Sequence, residues 1–420
     1  MPRIEGIRIC NYRSLQDVTL GRLMGKKGTP LTSLTTIIGK NGVGKSSVLD
    51  AIGFLSDCLE SGVSEACNKR GGFSELRTRD AKHLAIEFTV YVSANVADPN
   101  PKEYELRINA RSGIPVIVFE QMSQIDQFGT NKNVIKKWIM SRSDGKGKVN
   151  NYFESKEDRD NDVSGRRKKG LPPQPYITDF NLEDTDKTGI ATIGFLSEHP
   201  RIVEFRRFMA SWFLCDFSPH LVKTQYSADP EVHLSSSGDN LGNYVLFLEK
   251  KYPERIKSIL KKLSTKIPGV KKIQTRRTIN GQLLLQFHST YFKQPFYPQQ
   301  MSDGTLRLFA YLLLLEDPKP ASVLCIDEPE NALHHKLIEV LATELRDHAD
   351  ARKNQTQVFV ATQEPYFVNA LSPQEVWILE KGNDGYTTAR RASDDPLVNN
   401  FVAEGLQLGS LWYSGYLDAR

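Results

Sequence analysis

Long apolar runs are what this 420-residue chain most lacks. No stretch approaches the ~20 consecutive apolar residues of a membrane-spanning helix. MPRIEGIRIC has none of the apolar core of a secretory leader, so the expectation is a cytoplasmic chain with no membrane partner. Cysteine is also scarce. Cys10, Cys58, Cys67, Cys215 and Cys325 are odd in number, far apart and never spaced as C-x-x-C. That pattern argues against a disulfide framework or a thiolate metal site and for small core residues. Internal repeats are missing, as is any heptad run long enough for a coiled-coil arm, so tethering through long arms is not available to this chain.

A strong overall charge is missing too, but the net +5 hides an asymmetry. Lys250 to Arg277 carries eleven basic residues against one acid, Glu254, and Lys132 to Lys169 carries twelve against six. Two positive segments in an otherwise acidic chain suit a polyanion such as DNA or RNA. They equally suit a solvated helix face and a charged loop, and both readings stand at this level.

The opening RIEGIRICNYRSLQDVTL alternates as a strand, a turn and a second strand. LTTIIG reads as a short buried strand running into a glycine loop, and SSVLDAIGFLSDCL as an amphipathic helix. Residues 83–93, 104–110 and 115–120 read as strands. Residues 142–176 have few apolar side chains, many charges and then prolines, which predicts a mobile loop. Residues 200–267 read as helical, and in PERIKSILKKLSTKI the lysines lie off the stripe of Ile256, Ile259, Leu260, Leu263 and Ile267. QLLLQFHS is again a strand. The last third is the most regular: TLRLFAYLLLLED, ASVLCIDEPE, ALHHKLIEVLATELRDHA and QVFVATQEP alternate helix and buried strand, and VWILEK and YTTARR add two strands. Buried strands alternating with helices predict an α/β fold with a parallel sheet covered on both faces. The expected organisation is a discontinuous core, 1–120 with 295–420, and an insertion or helical lobe at 121–294.

Three motifs carry chemistry. Gly39-Lys40-Asn41-Gly42-Val43-Gly44-Lys45-Ser46 follows a strand and opens a helix, the context a phosphate loop requires. Its glycines let backbone N–H groups turn toward phosphates, and the helix N-terminus adds positive potential. Asn41, Gly42, Gly44, Lys45, Ser46 and Ser47 are the expected nucleotide contacts, with Lys45 reaching the β- and γ-phosphates and Ser46 ligating Mg²⁺. Asp327 and Glu328 end the strand VLCI; Asp327 is expected to hold the Mg²⁺ and Glu328 to take a proton from the attacking water. A solvated turn is the bland alternative. Gln300-Met301-Ser302-Asp303-Gly304-Thr305-Leu306-Arg307 precedes an apolar helix and, taken alone, is a helix cap with a glycine.

Between a phosphate loop and an acid pair, Ser302-Asp303-Gly304 resembles the signature motif of ABC-type ATPases. The chain is similar to the SMC, RecF and OLD group, often described as AAA-family ATPases, over roughly residues 1–95 and 230–380. IRICNYRSL (7–15) resembles that group's opening strand and turn, which would put Arg13 near the nucleotide. Glu330-Asn331-Ala332-Leu333-His334 sits where the group has its D-loop, and Gly238-Asp239-Asn240 with Leu241 to Leu248 resembles a helix of stand-alone members. Ala361-Thr362-Gln363-Glu364-Pro365 resembles the group's Thr-His-Ser-Pro turn, with Gln363 where a histidine usually contacts the γ-phosphate; an amide donates a hydrogen bond but carries no charge.

The resemblance implies an ABC-ATPase-like mixed sheet flanked by helices. It implies ATP and Mg²⁺ as cofactors, and a homodimer or higher even oligomer in which Ser302 and Gly304 of one copy face the γ-phosphate held by the other. It further implies a switch acting on a separate effector, such as a nuclease, in prokaryotic anti-phage defence or a toxin–antitoxin operon, or on DNA or RNA as in repair. No Asp-x-Asp pair occurs after Val368, so the OLD members' TOPRIM nuclease domain is not expected there and any nuclease is expected on another chain. A transporter motor, a small-molecule kinase and an ATP-bound scaffold with little turnover are the competing classes.

Overall fold

The structure is a computed structural model that describes residues 2–81, 83–94, 100–128, 133–151, 176–218, 220, 223, 229–266, 269–279, 282–351 and 356–417. In chain order its strands are β1 (Ile4–Tyr12), β2 (Leu15–Gly21), β3 (Leu34–Ile38), β4 (Ile86–Val92), β5 (Lys102–Arg111), β6 (Ile114–Phe128), β7 (Asn133–Ser143) and β8 (Lys146–Asn151). They continue with β9 (Tyr176–Asn181), β10 (Trp212–Cys215), β11 (Val270–Arg277), β12 (Leu283–Ser289), β13 (Val323–Asp327), β14 (Gln357–Thr362), β15 (Val376–Lys381) and β16 (Thr387–Arg391). Two compact units each gather separate stretches of chain, Met1–Thr32, Gly39–Trp212 and Trp377–Arg390 in the first, and Ser33–Ile38, Phe213–Val376 and Arg391–Arg420 in the second.

The first unit is built on an eight-stranded sheet in the order β2-β1-β4-β5-β6-β7-β8-β9, antiparallel at each junction. Helix Lys45–Glu60 buries Val48, Ile52, Phe54 and Leu55, and its Phe54 ring meets Tyr12 of β1 and Phe88 of β4 at centroid distances of 5.6 and 5.7 Å. Such aromatic contacts add to the area each ring removes from water. β6 runs through residue 120, and there Glu120 is fully buried. Its carboxylate accepts from the N–H of Ile190 at 3.0 Å and from the Tyr104 hydroxyl at 3.0 Å, with Arg142 at 3.7 Å. Burial pushes this carboxyl above the usual range, and the backbone donors of Ile190 and Gly189 oppose that.

This sheet corrects the two ends of the mobile loop expected at 142–176. Residues 142–151 end β7 and form β8, and Tyr176 opens β9; residues 152–175 lie outside the described residues. The physical reason is alternation with charges on one side only. Met140, Arg142 and Val149 are buried while Ser143, Lys146 and Lys148 are exposed, and the one inward charge, Arg142, is met by Glu120 and by the carbonyls of Lys187 and Asp184.

In the second unit β10, β13, β14 and β3 neighbour one another in that order. β13, β14 and β3 are parallel, with Asp327 opposite Ala361 and Thr362 opposite Ile38. Every residue of β3 and β14 is buried, the mark of strands covered on both faces. Helix Asp303–Leu315 is apolar nearly all round and helix His335–Asp350 buries one stripe, while β11 and β12 form a separate hairpin.

Helix Pro253–Lys266 buries Ile259 and Leu263 as its periodicity requires, but its lysines are not all solvated. Lys262 lies 3.0 Å from Glu316 and 3.3 Å from Glu344, and Lys266 lies 3.0 Å from Glu344. Burial alone would raise the Glu344 carboxyl, yet the hydrogen bond from Lys266 and the charge of Lys262 hold it below its ordinary value. These two lysines are therefore fastening points of the helix, which corrects their place in a nucleic-acid face. All five cysteines are buried free thiols, and among the described residues no helix is long and apolar enough to cross a membrane.

Candidate functional site

The phosphate loop belongs to the first unit from Gly39 onward. Gly39, Gly42 and Gly44 have φ of 152°, 78° and 104°, which side chains other than glycine's hydrogen rarely allow. At Gly44 a Cβ would fall 2.6 Å from the Ser14 hydroxyl oxygen and 2.8 Å from that of Thr387, whereas at Gly42 it would meet nothing within 4 Å. The loop is thus braced on one side and open on the other, with Asn41, Gly42 and Ser46 exposed and Ser47 half-buried. Thr387 also donates to the Val43 carbonyl at 2.8 Å and pairs with Ser14 at 3.0 Å. Neither brace is visible in the sequence, because both lie outside the glycine motif.

Lys45 is 5 % exposed. Its ammonium donates to the carbonyls of Gly39 at 2.9 Å and Lys40 at 3.2 Å, folded back over the loop it belongs to. Arg13, at φ 51°, sits 2.9 Å from Asp50 on the helix that the loop opens. Asp50 also accepts from the Tyr12 hydroxyl at 2.7 Å and the Arg70 guanidinium at 2.7 Å. Burial, then the nearby Asp50 charge, pushes the Tyr12 hydroxyl well above its ordinary value.

The acid pair, the signature stretch and the Gln363 turn all belong to the second unit. Asp327 ends β13, and Glu328 turns into the left-handed region at φ 45°. Its N–H donates to the Ala361 carbonyl at 2.8 Å, and its carboxylate accepts from the Asn331 amide at 2.9 Å. Helix Asp303–Leu315 is capped by the Ser302 hydroxyl, which accepts from the Thr305 N–H at 3.2 Å. A Cβ at Gly304 would land 2.4 Å from the carbonyl oxygen of Ala332, itself left-handed at φ 65°. From the next turn of that helix, Arg307 donates to the carbonyls of Glu328 at 3.3 Å and Phe217 at 2.8 Å.

Gln363 is exposed at the end of β14, and its N–H donates to the buried Glu330 carboxylate at 3.0 Å. Burial raises the Glu330 carboxyl above its ordinary value, with bonds from the Gln363 N–H and the Thr362 side chain opposing. Hydrogen bonds from Arg307 to Glu328 and from Gln363 to Glu330 therefore tie the helix that Ser302 caps, the acid-pair loop and the Gln363 turn together, with Gly304 close against the Ala332 carbonyl. The three residues Arg307, Glu330 and Ala332 fall inside the stretches that carry the resemblance, but their linking contacts are not legible there, because each partner lies in another segment of the chain.

The donor chemistry fits a magnesium nucleotide. A serine hydroxyl and a carboxylate are the hard oxygen ligands that Mg²⁺ prefers. An open glycine loop ahead of a sixteen-residue helix offers N–H groups to phosphate. Together with parallel buried strands, these features define a P-loop nucleotide-binding domain of mixed α/β architecture.

The model of the family described as "AAA domain, putative AbiEii toxin, Type IV TA system" matches residues 34–369, and the chain belongs to that family. It is accordingly an AAA-family ATPase domain. No curated protein matches the chain. Among solved structures it is similar to an SMC head bound to the C-winged helix domain of ScpA, at 14 % identity over 92 % of this chain and 96 % of that one, with a TM-score of 0.49. It is also similar to the SMC head domain from Thermotoga maritima, at 13 % identity over 93 % and 98 %, TM-score 0.42. A third is an SMC head with an extended coiled coil bound to the C-terminal domain of ScpA, derived from Pyrococcus furiosus, at 12 % identity over 96 % and 100 %, TM-score 0.49.

Proposed function

We propose that this protein is an ATP-hydrolysing switch that closes as a pair of copies around nucleotide and controls a separate effector or a nucleic-acid process, in prokaryotic anti-phage defence or a toxin–antitoxin setting. The observation that carries the reading is the bonded set of loops in the second unit, where the signature helix is fastened to the acid pair by Arg307 and the acid-pair loop to the Gln363 turn by Glu330. A small-molecule kinase has no use for such a connection.

In this reading the Lys45 ammonium leaves the Gly39 and Lys40 carbonyls for the β- and γ-phosphates, and the N–H groups of residues 41–47 hold the phosphate oxygens. The Ser46 hydroxyl and the Asp327 carboxylate would hold Mg²⁺, which would supply positive charge to offset that of the phosphates. Glu328 orients the attacking water and takes its proton, and the Gln363 amide donates to the γ-phosphate. Arg13 supplies a further cation from its place on Asp50. Ser302 and Gly304 of one copy face the nucleotide held by the other, so each nucleotide joins two chains.

A second reading, a nucleotide-bound scaffold with little turnover, is favoured by one feature, the uncharged Gln363 at the γ-phosphate position. Steady-state ATP turnover separates the two. The shared site is tested by mixing a Lys45→Ala chain with a Ser302→Arg chain. One composite site of the heterodimer then collects both lesions and the other none, so two inactive variants should recover up to about half the wild-type rate per heterodimer. A Ser302→Arg chain that hydrolyses ATP normally by itself refutes the shared site.

A further inference from the structure

The basic stretch singled out in the sequence is not one surface. Its helical half is fastened by ion pairs to Glu316 and Glu344. Its other half is the β11–β12 hairpin with the loop that follows. From Gly269 to Ser302 there are five lysines and arginines (Lys271, Lys272, Arg276, Arg277 and Lys293) and no aspartate or glutamate. Lys271, Lys272 and Lys293 are exposed. The Glu249 carboxylate, bonded to the N–H of Thr275 at 3.1 Å, is an acid reaching this hairpin from outside it.

Between the hairpin and the loop lies an open cavity of about 290 Å³, with Phe287, His288, Tyr291, Phe292 and Phe296 among its lining residues. Tyr291 and Phe292 are 74 % and 62 % exposed, an arrangement that leaves two large rings in water. Phe292 meets Phe296 edge-on at 5.5 Å, and a Cβ at Gly269 would lie 2.8 Å from the Tyr291 ring, so that ring rests over a bare backbone. The His288 Nε2 is buried and no protein atom bonds it. β12 holds His288 directly opposite Lys272, and Lys271 and Lys293 each directly follow a lining residue.

We infer that this cleft is a binding site for single-stranded nucleic acid. One unstacked base enters against Tyr291 and Phe292, while Lys271, Lys272 and Lys293 meet the flanking phosphates. Charge selects a polyanion, since the whole stretch lacks acids. Ring exposure selects a free base over a duplex, because a paired base keeps its faces stacked and its edge out of reach. The Ser302 cap lines the same cavity, so the bound strand lies beside the signature helix. The inference does not depend on the nucleotide reading.

The test is fluorescence anisotropy with end-labelled, unphosphorylated strands of roughly 12 nucleotides, within the ~4–16 that single-strand-binding folds cover. Oligo-dT, oligo-U and a duplex are compared without ATP or Mg²⁺, so that the outcome is independent of nucleotide binding. Wild type should prefer either single strand over duplex, and the better of the two identifies DNA or RNA. Tyr291→Ala with Phe292→Ala should weaken binding by roughly 10-fold or more, within the range seen for loss of base stacking, at unchanged melting temperature. The Tyr291→Phe with Phe292→Tyr pair should retain it. Lys271→Glu with Lys293→Glu should flatten the dependence of log K on log salt by about 1.4, the loss of two single-strand phosphate contacts. Equal binding to duplex, unchanged affinity after loss of both rings, or no binding at low salt overturns the inference. So does a ring variant that sediments as a smaller species while still binding strands, which would make the cleft a seat for a second copy.

Discussion

The chain has two strand-to-helix loops of functional interest, one in each unit, and both turn through positive φ by opposite means. The loop after β3 places glycine at its positive-φ positions, Gly39, Gly42 and Gly44; the loop after β13 places Glu328 and Ala332 there. Glycine adopts that conformation without steric penalty, whereas a residue with a Cβ gives up about 1–2 kcal/mol. The second loop therefore has to be held, and it is: by the Ala361 carbonyl on the Glu328 N–H, by Arg307 on the Glu328 carbonyl and by Asn331 on its carboxylate. A residue in a strained conformation that its neighbours over-determine is frequent where a side chain must be aimed. The first loop presents backbone to its ligand and needs no side chain there; the second has to present a carboxylate.

The largest expected effect breaks the first loop. Gly39→Ala would put a Cβ 2.4 Å from the Leu379 carbonyl oxygen at a φ of 152°. A carbonyl cannot step aside as a flexible side-chain end can, so the loop must open. We expect a loss of more than about 3 kcal/mol, combining strain and overpacking, and no measurable binding of a fluorescent ATP analogue. Nucleotide affinity close to wild type in this variant would mean that the loop tolerates a second shape and that its glycines are not what sets it.

A smaller effect is expected from releasing the second loop. Arg307→Ala removes the charged donor shared by the Glu328 and Phe217 carbonyls, which should cost about 2–4 kcal/mol of stability in denaturant unfolding. Turnover should fall further than nucleotide affinity, since Lys45 is untouched. Lysine should rescue poorly, because one ammonium does not reproduce the two-pronged guanidinium. Full rescue by Arg307→Lys would reduce the role to charge alone.

The same contrast explains what could be read in advance. The phosphate loop was legible because its geometry is written in glycine, and β3, β13 and β14 because strands buried on both faces read as unbroken apolar runs. The acid-pair loop was legible only as chemistry. Nothing in Asp327-Glu328-Pro329-Glu330 announces that Glu328 is left-handed or that Glu330 holds the Gln363 N–H, since those depend on partners in other segments of the chain. β8 was hidden because lysines fill its outward positions, and the inward charge on neighbouring β7, Arg142, is answered by Glu120 far away in sequence. Lys262 and Lys266 looked solvated for the same reason: periodicity shows which side of a helix is polar, not which acids lie opposite. Short helices such as Pro396–Ala403 and Leu408–Tyr413 went unread, because two turns are too few to establish a period.

The smallest predicted effect sharpens the comparison from the other side. If Ala332 is held against its preference, replacing it with glycine should relieve the loop that the glycine-to-alanine change destroys in its counterpart. Ala332 is exposed, so its methyl group has little packing to lose, and its carbonyl, which lies where a Cβ on Gly304 would fall, keeps its place. Against the relief of about 1–2 kcal/mol stands the greater freedom that glycine gives the unfolded chain, about 0.4–1 kcal/mol. The net should be a small stabilisation, no more than about 1 kcal/mol, seen as a slightly higher denaturant midpoint with an unchanged slope. A midpoint lowered by the equivalent of about 1 kcal/mol or more would show that Ala332 is not strained and that its positive φ suits the loop after β13.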